Sequence, residues 1–310
     1  MNKRFEPKPP ILVIGSARSG TTVFARLLAT AAGTYAAMEN HILWKAGDFA
    51  SLGDCDHNRR ASATRWVKAT LEKAAGTRRL IEKSPPNSLR PRTVHAVFPD
   101  AIVIYTVREP VQCLVSNLRN SEAGAGVSLS RWIRKYLTIV PAVHDARNLA
   151  FDVHPSGGMR LASQLRARDY LPFSVYVYRL LRATRHLKLM PFGPRLDDFA
   201  SVVRSEGLAS YHLRVLEEAA ANIEVFRALY GDSFHMFHLN DLIQKPAATI
   251  DRLFEATGLE LGAYGRSILV EQMRKRAPEA EVTLGADYPL LPGLGKTGVA
   301  RLLRLRYSSF

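Results

Sequence analysis

The feature that most constrains the fold is a short apolar run that leads into a glycine-containing loop. Residues Ile11-Leu12-Val13-Ile14 are all apolar and mostly β-branched, as expected of a strand buried on both faces of a parallel sheet. The loop Gly15-Ser16-Ala17-Arg18-Ser19-Gly20-Thr21-Thr22 follows, and a helical pattern begins at Val23. A strand, a loop and a helix in this order place backbone N–H groups and a helix N-terminus around an anion.

The loop lacks the residue that a nucleotide-hydrolysing P-loop needs. The spacing Gly15-x4-Gly20 matches the glycine frame of that motif, but Thr21 stands where its lysine would be. A second apolar run, Ala101–Val107, ends in Arg108, and no apolar run ends in an aspartate that would hold Mg²⁺. The sequence therefore predicts an anion site made of backbone N–H groups, hydroxyls and arginine, without a metal.

Helical and strand patterns alternate along the rest of the chain. We predict strands at Arg79–Lys83 and Ser233–Leu239, and helices at Arg60–Ala75, Leu208–Tyr230 and Ala247–Thr257. This alternation predicts an α/β fold, a P-loop-type parallel sheet flanked by helices. The pattern is looser over residues 121–207, where we expect a helical insertion in a single domain of residues 1–310, with helices such as Leu129–Val140 and Tyr170–Leu187.

Charge and cysteine content limit the partners and the compartment. The 310 residues include 43 Lys and Arg against 28 Asp and Glu, a net charge of +15 that favours anionic partners, although a genome rich in arginine codons would also produce it. Cys55 and Cys113 are too few for a disulfide framework, which favours a reducing compartment. With no recognisable targeting or membrane-spanning segment, we expect a cytoplasmic protein, with contact to a membrane surface left open.

The loop resembles a motif of a known family. Arg18-Ser19-Gly20-Thr21-Thr22, preceded by Ala17, is similar to the loop with which sulfotransferases bind the 5′ end of 3′-phosphoadenosine-5′-phosphosulfate (PAPS). That family also has an arginine at a strand end and a serine eight positions later, which bind the 3′-phosphate; Arg108 and Ser116 have this spacing. The alternative for Arg108 is a surface ion pair with Glu109 or another neighbour.

A third segment suggests the catalytic base. Ile81-Glu82-Lys83-Ser84-Pro85 is similar to the Glu-Lys-Ser/Thr-Pro stretch of heparan-type carbohydrate sulfotransferases, and this resemblance implies Glu82 as base. Lys83 would add a cation beside Arg18. Apolar neighbours would raise the pKa of Glu82. Alternatives are a Glu82–Lys83 surface pair, a helix cap, or His41 as base in a cleft that it lines with Glu39.

Near the C-terminus, Lys296-Thr297-Gly298 resembles the loop that closes over the nucleotide in many members of the family, although a flexible basic tail is an equal alternative. The acceptor side is less defined. The expected insertion contains several aromatic residues that suit either an apolar or sugar-stacking wall or simple core packing: Tyr170, Phe173, Tyr176, Tyr178 and Phe192.

Together the resemblances imply a sulfotransferase that moves a sulfuryl group from PAPS to a hydroxyl or amine of a carbohydrate, lipid or small metabolite and releases 3′,5′-ADP. No metal is expected, because side-chain cations would neutralise the leaving group and no histidine spacing suits a metal. One alternative is a metal-dependent P-loop kinase or nucleotidase, which the missing lysine disfavours. Another is a basic nucleic-acid-binding protein, for which the sequence has no characteristic motif.

Overall fold

Five strands form a parallel sheet in the part of the chain that the structure describes. The structure is a computed structural model, and it describes residues 8–57, 59–122, 161–187, 193–280, 294 and 296–308. The spatial order of the strands is β2-β3-β1-β4-β5. The strands are β1 (Ile11–Ile14), β2 (Thr34–Met38), β3 (Arg79–Lys83), β4 (Ile102–Val107) and β5 (Phe234–His238). The predicted α/β fold with a helix-flanked parallel sheet is confirmed.

The sequence patterns did not predict β2. Its residues Thr34-Tyr35-Ala36-Ala37-Met38 include two alanines and no Val or Ile, so the usual strand signal is weak. Tertiary context forms this strand: all five residues are buried, and Ala37 pairs with Glu82 of β3. Because the strands are parallel, the ends of β2 and β3 come together with the loop after β1 at the carboxyl edge of the sheet, where ligands bind in open α/β folds.

Helices cover both faces of the sheet and continue beyond it. They are α1 (Thr21–Ala29), α2 (His41–Lys45), α3 (Ala61–Ala75), α4 (Pro91–Val97), α5 (Pro110–Glu122), α6 (Leu161–Gln164), α7 (Tyr170–Thr184), α8 (Phe199–Tyr230), α9 (Leu239–Gln244), α10 (Pro246–Thr257), α11 (Ala263–Ala280) and α12 (Lys296–Ser308). Within the described ranges, no helix is both long and apolar enough to cross a bilayer.

The alternation of side chains along β1 separates two cores. Leu12 and Ile14 pack in a cluster that includes Trp44, whereas Ile11 and Val13 pack on the opposite face in a cluster that includes Phe24. All four β1 side chains are fully buried. The central strand is therefore apolar on both sides, as its sequence predicts, and its end is held rigidly at the loop.

The described part of the expected insertion is helical. It comprises α6, α7 and the first turns of α8, which is kinked at Gly207, a residue with φ 86° and ψ 170°. Phe173 and Tyr176 of α7 are buried against Phe49, so core packing explains these two aromatic residues. The predicted helix over residues 129–140 and the residue Phe192 lie outside the described residues.

Candidate functional site

The loop between β1 and α1 has a backbone that only certain residues can adopt. A Cβ atom on Gly15 would lie 2.4 Å from the carbonyl oxygen of Thr106, so β4 approaches the loop too closely for a side chain. Gly20 has φ 98°, a left-handed conformation that favours glycine. Arg18 has φ 71° without that freedom, and such strain is common at functional sites.

Ser19 holds the loop together from inside. Its hydroxyl lies 2.8 Å from the carbonyl oxygen of Ser16 and 2.8 Å from the hydroxyl of Thr106, and its backbone N–H also donates to Ser16 at 3.2 Å. The side chain is fully buried, as is nearly all of Thr21 and Ala17. The N–H groups of Val23 and Phe24 donate to the carbonyl oxygen of Gly20, so the donors left at the start of α1 are the N–H groups of Thr21 and Thr22.

Arg18 connects the loop to the second predicted phosphate group. Its Nε donates to the Oγ of Ser116 at 2.8 Å, across 98 positions of sequence. Arg108 lies beside them, with its Nη1 3.5 Å from the carbonyl oxygen of Arg18. Asn117 adds a weaker contact, 3.4 Å from its Nδ2 to the carbonyl oxygen of Ala17. The structure therefore brings Arg18, Arg108 and Ser116 together.

The two arginines concentrate positive charge at this edge. Burial, together with the charge of Arg108, lowers the pKa of Arg18. Among the described residues neither arginine forms an ion pair, and Arg108 instead donates through Nε to the Oε1 of Gln112 at 3.0 Å. The surface pair between Arg108 and Glu109 is not formed. Two neighbouring cations without an acidic partner, close to a helix N-terminus, suit an anionic ligand.

A small, partly open pocket lies beside Arg108. Its polar side includes Ser16 and Thr106 at the ends of β1 and β4. Its other wall is apolar and comes mainly from α8, with one residue of α12: Leu216, Ala219, Ala220, Ile223 and Leu305. The pocket is therefore basic at one end and apolar along one side.

The C-terminal residues predicted to cover the nucleotide are helical. Lys296, Thr297 and Gly298 form the first turn of α12 instead of a loop. This helix packs on α5 and α8 through Leu302, in a cluster that also contains Leu294 just before the helix, and Arg301 donates through Nε to Glu217 at 2.7 Å. A contact between the Lys296 turn and a nucleotide stays a prediction.

Glu82 is enclosed within the protein. Its side chain has no exposed surface; its Oε1 accepts from the indole Nε1 of Trp44 at 2.7 Å and its Oε2 accepts from the Nδ2 of Asn87 at 3.0 Å. Burial raises the pKa of Glu82 to about 7, against the opposing effect of the hydrogen bond from Trp44. A pKa near neutrality suits proton transfer, but both oxygens already have protein partners.

Lys83 forms an ion pair with Glu39 and not with Glu82. It is 2% exposed, and its Nζ lies 2.9 Å from the Oε1 of Glu39. A Glu82–Lys83 surface pair is therefore not formed. Glu39 directly follows β2, its side chain is 41% exposed, and its φ of 56° lies in the left-handed region that non-glycine residues seldom adopt. At this edge Glu39 reaches the surface, whereas Glu82 does not. His41, the other residue considered as a base, begins α2 two positions later.

A buried ionic cluster positions Trp44, the residue whose indole donates to Glu82. The carbonyl oxygen of Trp44 accepts from Nη1 of Arg90 at 3.1 Å and from Nη1 of Arg59. Arg90 is fully buried and lies 3.5 Å from Oδ1 of Asp54. Sequence reasoning missed this cluster and the contact between Glu39 and Lys83, because the partners are scattered over separate segments. Nothing in the sequence near Glu39 predicts its left-handed backbone, apart from its position directly after an apolar segment.

Comparison with known proteins gives a family match over the part of the chain that contains the loop. Residues 9–152 match the model of the sulfotransferase family. No curated protein matches the chain. Within the described residues, no group of three or more His, Cys, Asp or Glu side chains is arranged to hold a metal ion.

Several solved structures are similar at low identity. The sulfotransferase domain of the olefin synthase from Synechococcus PCC 7002 has 15% identity and a TM-score of 0.47, covering 98% of this chain and 94% of that one. The sulfotransferase domain from the curacin biosynthetic pathway has 15% identity and a TM-score of 0.45, covering 83% and 77%. The sulfotransferase STF1 from Mycobacterium tuberculosis H37Rv has 17% identity and a TM-score of 0.38, covering 88% and 77%. Residues 9–152, which include this strand, loop and helix, are therefore similar to the sulfotransferase family.

Proposed function

We propose that the chain transfers a sulfuryl group from PAPS to a hydroxyl or amine of an acceptor and releases 3′,5′-ADP. The observation that carries this proposal is the meeting of Arg18, Arg108 and Ser116 beside the N-terminus of α1. PAPS is phosphorylated at both its 3′ and 5′ positions, so it needs two adjacent anion contacts. One basic edge with cations from the β1 loop and from the end of β4 supplies both.

The transfer needs stabilisation of the leaving group. The acceptor oxygen or nitrogen attacks sulfur, the bond from sulfur to the bridging phosphate oxygen breaks, and the electron pair stays on that oxygen. Arg18 and the N–H groups at the start of α1 are the donors for this charge, and the helix dipole adds to them. Lys83 supplies a further cation through its place beside Glu39.

The proton of the acceptor needs a base that the acceptor can reach. We assign this role to Glu39, because its carboxylate is exposed at the carboxyl edge and is oriented by Lys83. Glu82, the base implied by sequence resemblance, has the suitable pKa but lies behind Trp44 and Asn87. The two assignments predict different outcomes when each glutamate is replaced by glutamine.

The proposal extends to the architecture. We propose that residues 1–310 belong to one sulfotransferase domain, in which the expected insertion at about 121–207 lies on the acceptor side. Two described contacts place α7 and the loop after α2 in one core, since Phe49 packs against both Phe173 and Tyr176. The chain that follows Glu39 and His41 therefore packs against the described part of the expected insertion.

Calorimetry with a set of nucleotides tests the proposal. Titration of the purified chain with 3′,5′-ADP, AMP and ATP should show the tightest binding for 3′,5′-ADP. Tighter binding of ATP that depends on Mg²⁺ would instead support a kinase or nucleotidase. A shift of duplex DNA at physiological salt, with no response to 3′,5′-ADP, would support a nucleic-acid-binding protein.

A further inference from the structure

One helix carries an unusual set of exposed apolar side chains. Among the described residues, all the large apolar side chains that are exposed belong to α7, and together they form the α7 outer face: Tyr170, Leu171, Val175, Tyr178 and Leu181. Leu171 is 75% exposed and Tyr178 is 63% exposed. Single exposed apolar residues are common, but a contiguous group on one element marks an interaction site.

The protein holds this face in a fixed orientation. The opposite side of α7 is buried through Phe173, Tyr176 and Leu180 in a core shared with α8. Leu171, Val175 and Tyr178 are spaced by four and three residues, so they lie one above the other along the helix. Because its inner side is anchored, α7 presents its outer side as a rigid apolar ridge.

The charge of the same helix identifies the kind of partner. Its C-terminal half carries exposed arginines at 179, 182 and 185, and residues 170–187 contain no aspartate or glutamate. Within the described parts of the chain, Arg182 and Arg185 have no acidic partner. An apolar ridge bordered by unpaired arginines is complementary to a surface that has an apolar interior and anionic groups around it. A second copy of the chain would bring these arginines together, so the charge disfavours self-association.

We propose that the α7 outer face docks the protein onto an anionic phospholipid membrane. Leu171 and Val175 enter the boundary between headgroups and acyl chains, Tyr178 lies at the interface, and Arg182 and Arg185 reach the lipid phosphates. This contact is peripheral and does not depend on the proposed sulfuryl transfer.

Vesicle sedimentation tests the docking. The full chain is mixed with vesicles of equal parts phosphatidylglycerol and phosphatidylcholine, and with vesicles of phosphatidylcholine alone. We compare wild type with two α7 variants, Leu171→Ser/Tyr178→Ser and Arg182→Gln/Arg185→Gln. The matched control is Arg92→Gln/Arg252→Gln, which removes the same charge from exposed positions of α4 and α10.

We expect binding to the anionic vesicles only, a loss of about tenfold or more in both α7 variants, and little change in the control. Absence of binding, or an equal loss in the control, would overturn the proposal. So would light scattering that shows a dimer dissociated by Leu171→Ser/Tyr178→Ser, since the occupant would then be a second copy. A lower melting temperature in that variant would show that the chain itself covers the face, which also overturns it.

Discussion

The Nε of Arg18 donates a hydrogen bond to the Oγ of Ser116 at 2.8 Å, although the two residues belong to different predicted phosphate contacts. The sequence resemblance assigns Arg18 to the 5′ end of PAPS and Ser116 to its 3′-phosphate. In the folded chain they form one basic edge with Arg108. This arrangement would make the two proposed phosphate contacts interdependent, and several measurements follow from it.

Replacing Arg108 should remove the preference for a nucleotide with a 3′-phosphate. We expect wild type to bind 3′,5′-ADP more tightly than AMP by about 1.5–3 kcal/mol, the scale of one charge-assisted contact. Arg108→Ala should erase most of this difference in calorimetry, and Arg92→Ala, an exposed arginine on α4, should preserve it. Equal affinity of wild type for the two nucleotides would refute the role of Arg108 and Ser116.

Replacing each glutamate should identify the base. If Glu39 accepts the proton, Glu39→Gln lowers turnover by about 10²–10⁴-fold while the Kd of 3′,5′-ADP scarcely changes. Glu82→Gln and His41→Ala serve as comparisons in the same assay with an acceptor found by screening. A loss of that size in Glu82→Gln, with near-full activity in Glu39→Gln, would return the role to Glu82.

The pH dependence of stability should report the buried Glu82. Its pKa is raised from 4.5 to about 7 in the folded protein, so the folded state keeps this proton where the unfolded chain has lost it. Its contribution to stability is full below about pH 4.5 and is lost as the pH rises through about 7. The loss is about 3 kcal/mol. Urea unfolding across this range should show that the free energy of unfolding of wild type falls relative to that of Glu82→Gln as the pH rises. A constant difference would contradict the raised pKa.

The close approach of β4 to the loop predicts that Gly15 cannot be enlarged. Gly15→Ala places a Cβ 2.4 Å from the backbone of Thr106, so the loop or β4 must move. We expect a loss of about 1–3 kcal/mol in the free energy of unfolding together with weaker 3′,5′-ADP binding. Gly33→Ala is the control, because it also has a positive φ, 72°, but meets no atom within 4 Å. It should lose stability by about 1–2 kcal/mol and keep nucleotide affinity.

Removal of divalent metal should leave turnover unchanged. The proposed site neutralises the leaving group with Arg18, Lys83 and the N-terminus of α1. Sulfuryl transfer measured with EDTA should therefore match the rate measured without it. A rate that falls with EDTA and recovers with added Mg²⁺ would contradict this charge assignment.

The local parts of the site were predictable because each lies within a few consecutive residues. The β-branched run at Ile11–Ile14 predicts a buried strand, the two glycines predict the tight loop, and the apolar run before Arg108 predicts its place at a strand end. These patterns also predict the parallel sheet and its flanking helices. Periodicity identified α7 as a helix as well, since a helical repeat is a local property.

Only the tertiary structure decided which of these groups meet. Pairing of β2 with β3 places Glu39 beside Lys83, and β2 itself lacks a strong strand signal, so the sequence offered Glu82 first. Packing of α2 against the sheet then encloses Glu82 behind Trp44. Likewise, the pattern of α7 shows apolar residues all round, and only its packing shows which are buried and which stay exposed. The physical reason is that burial and pairing depend on neighbours distant in sequence, whereas strand, loop and helix signals depend on adjacent residues.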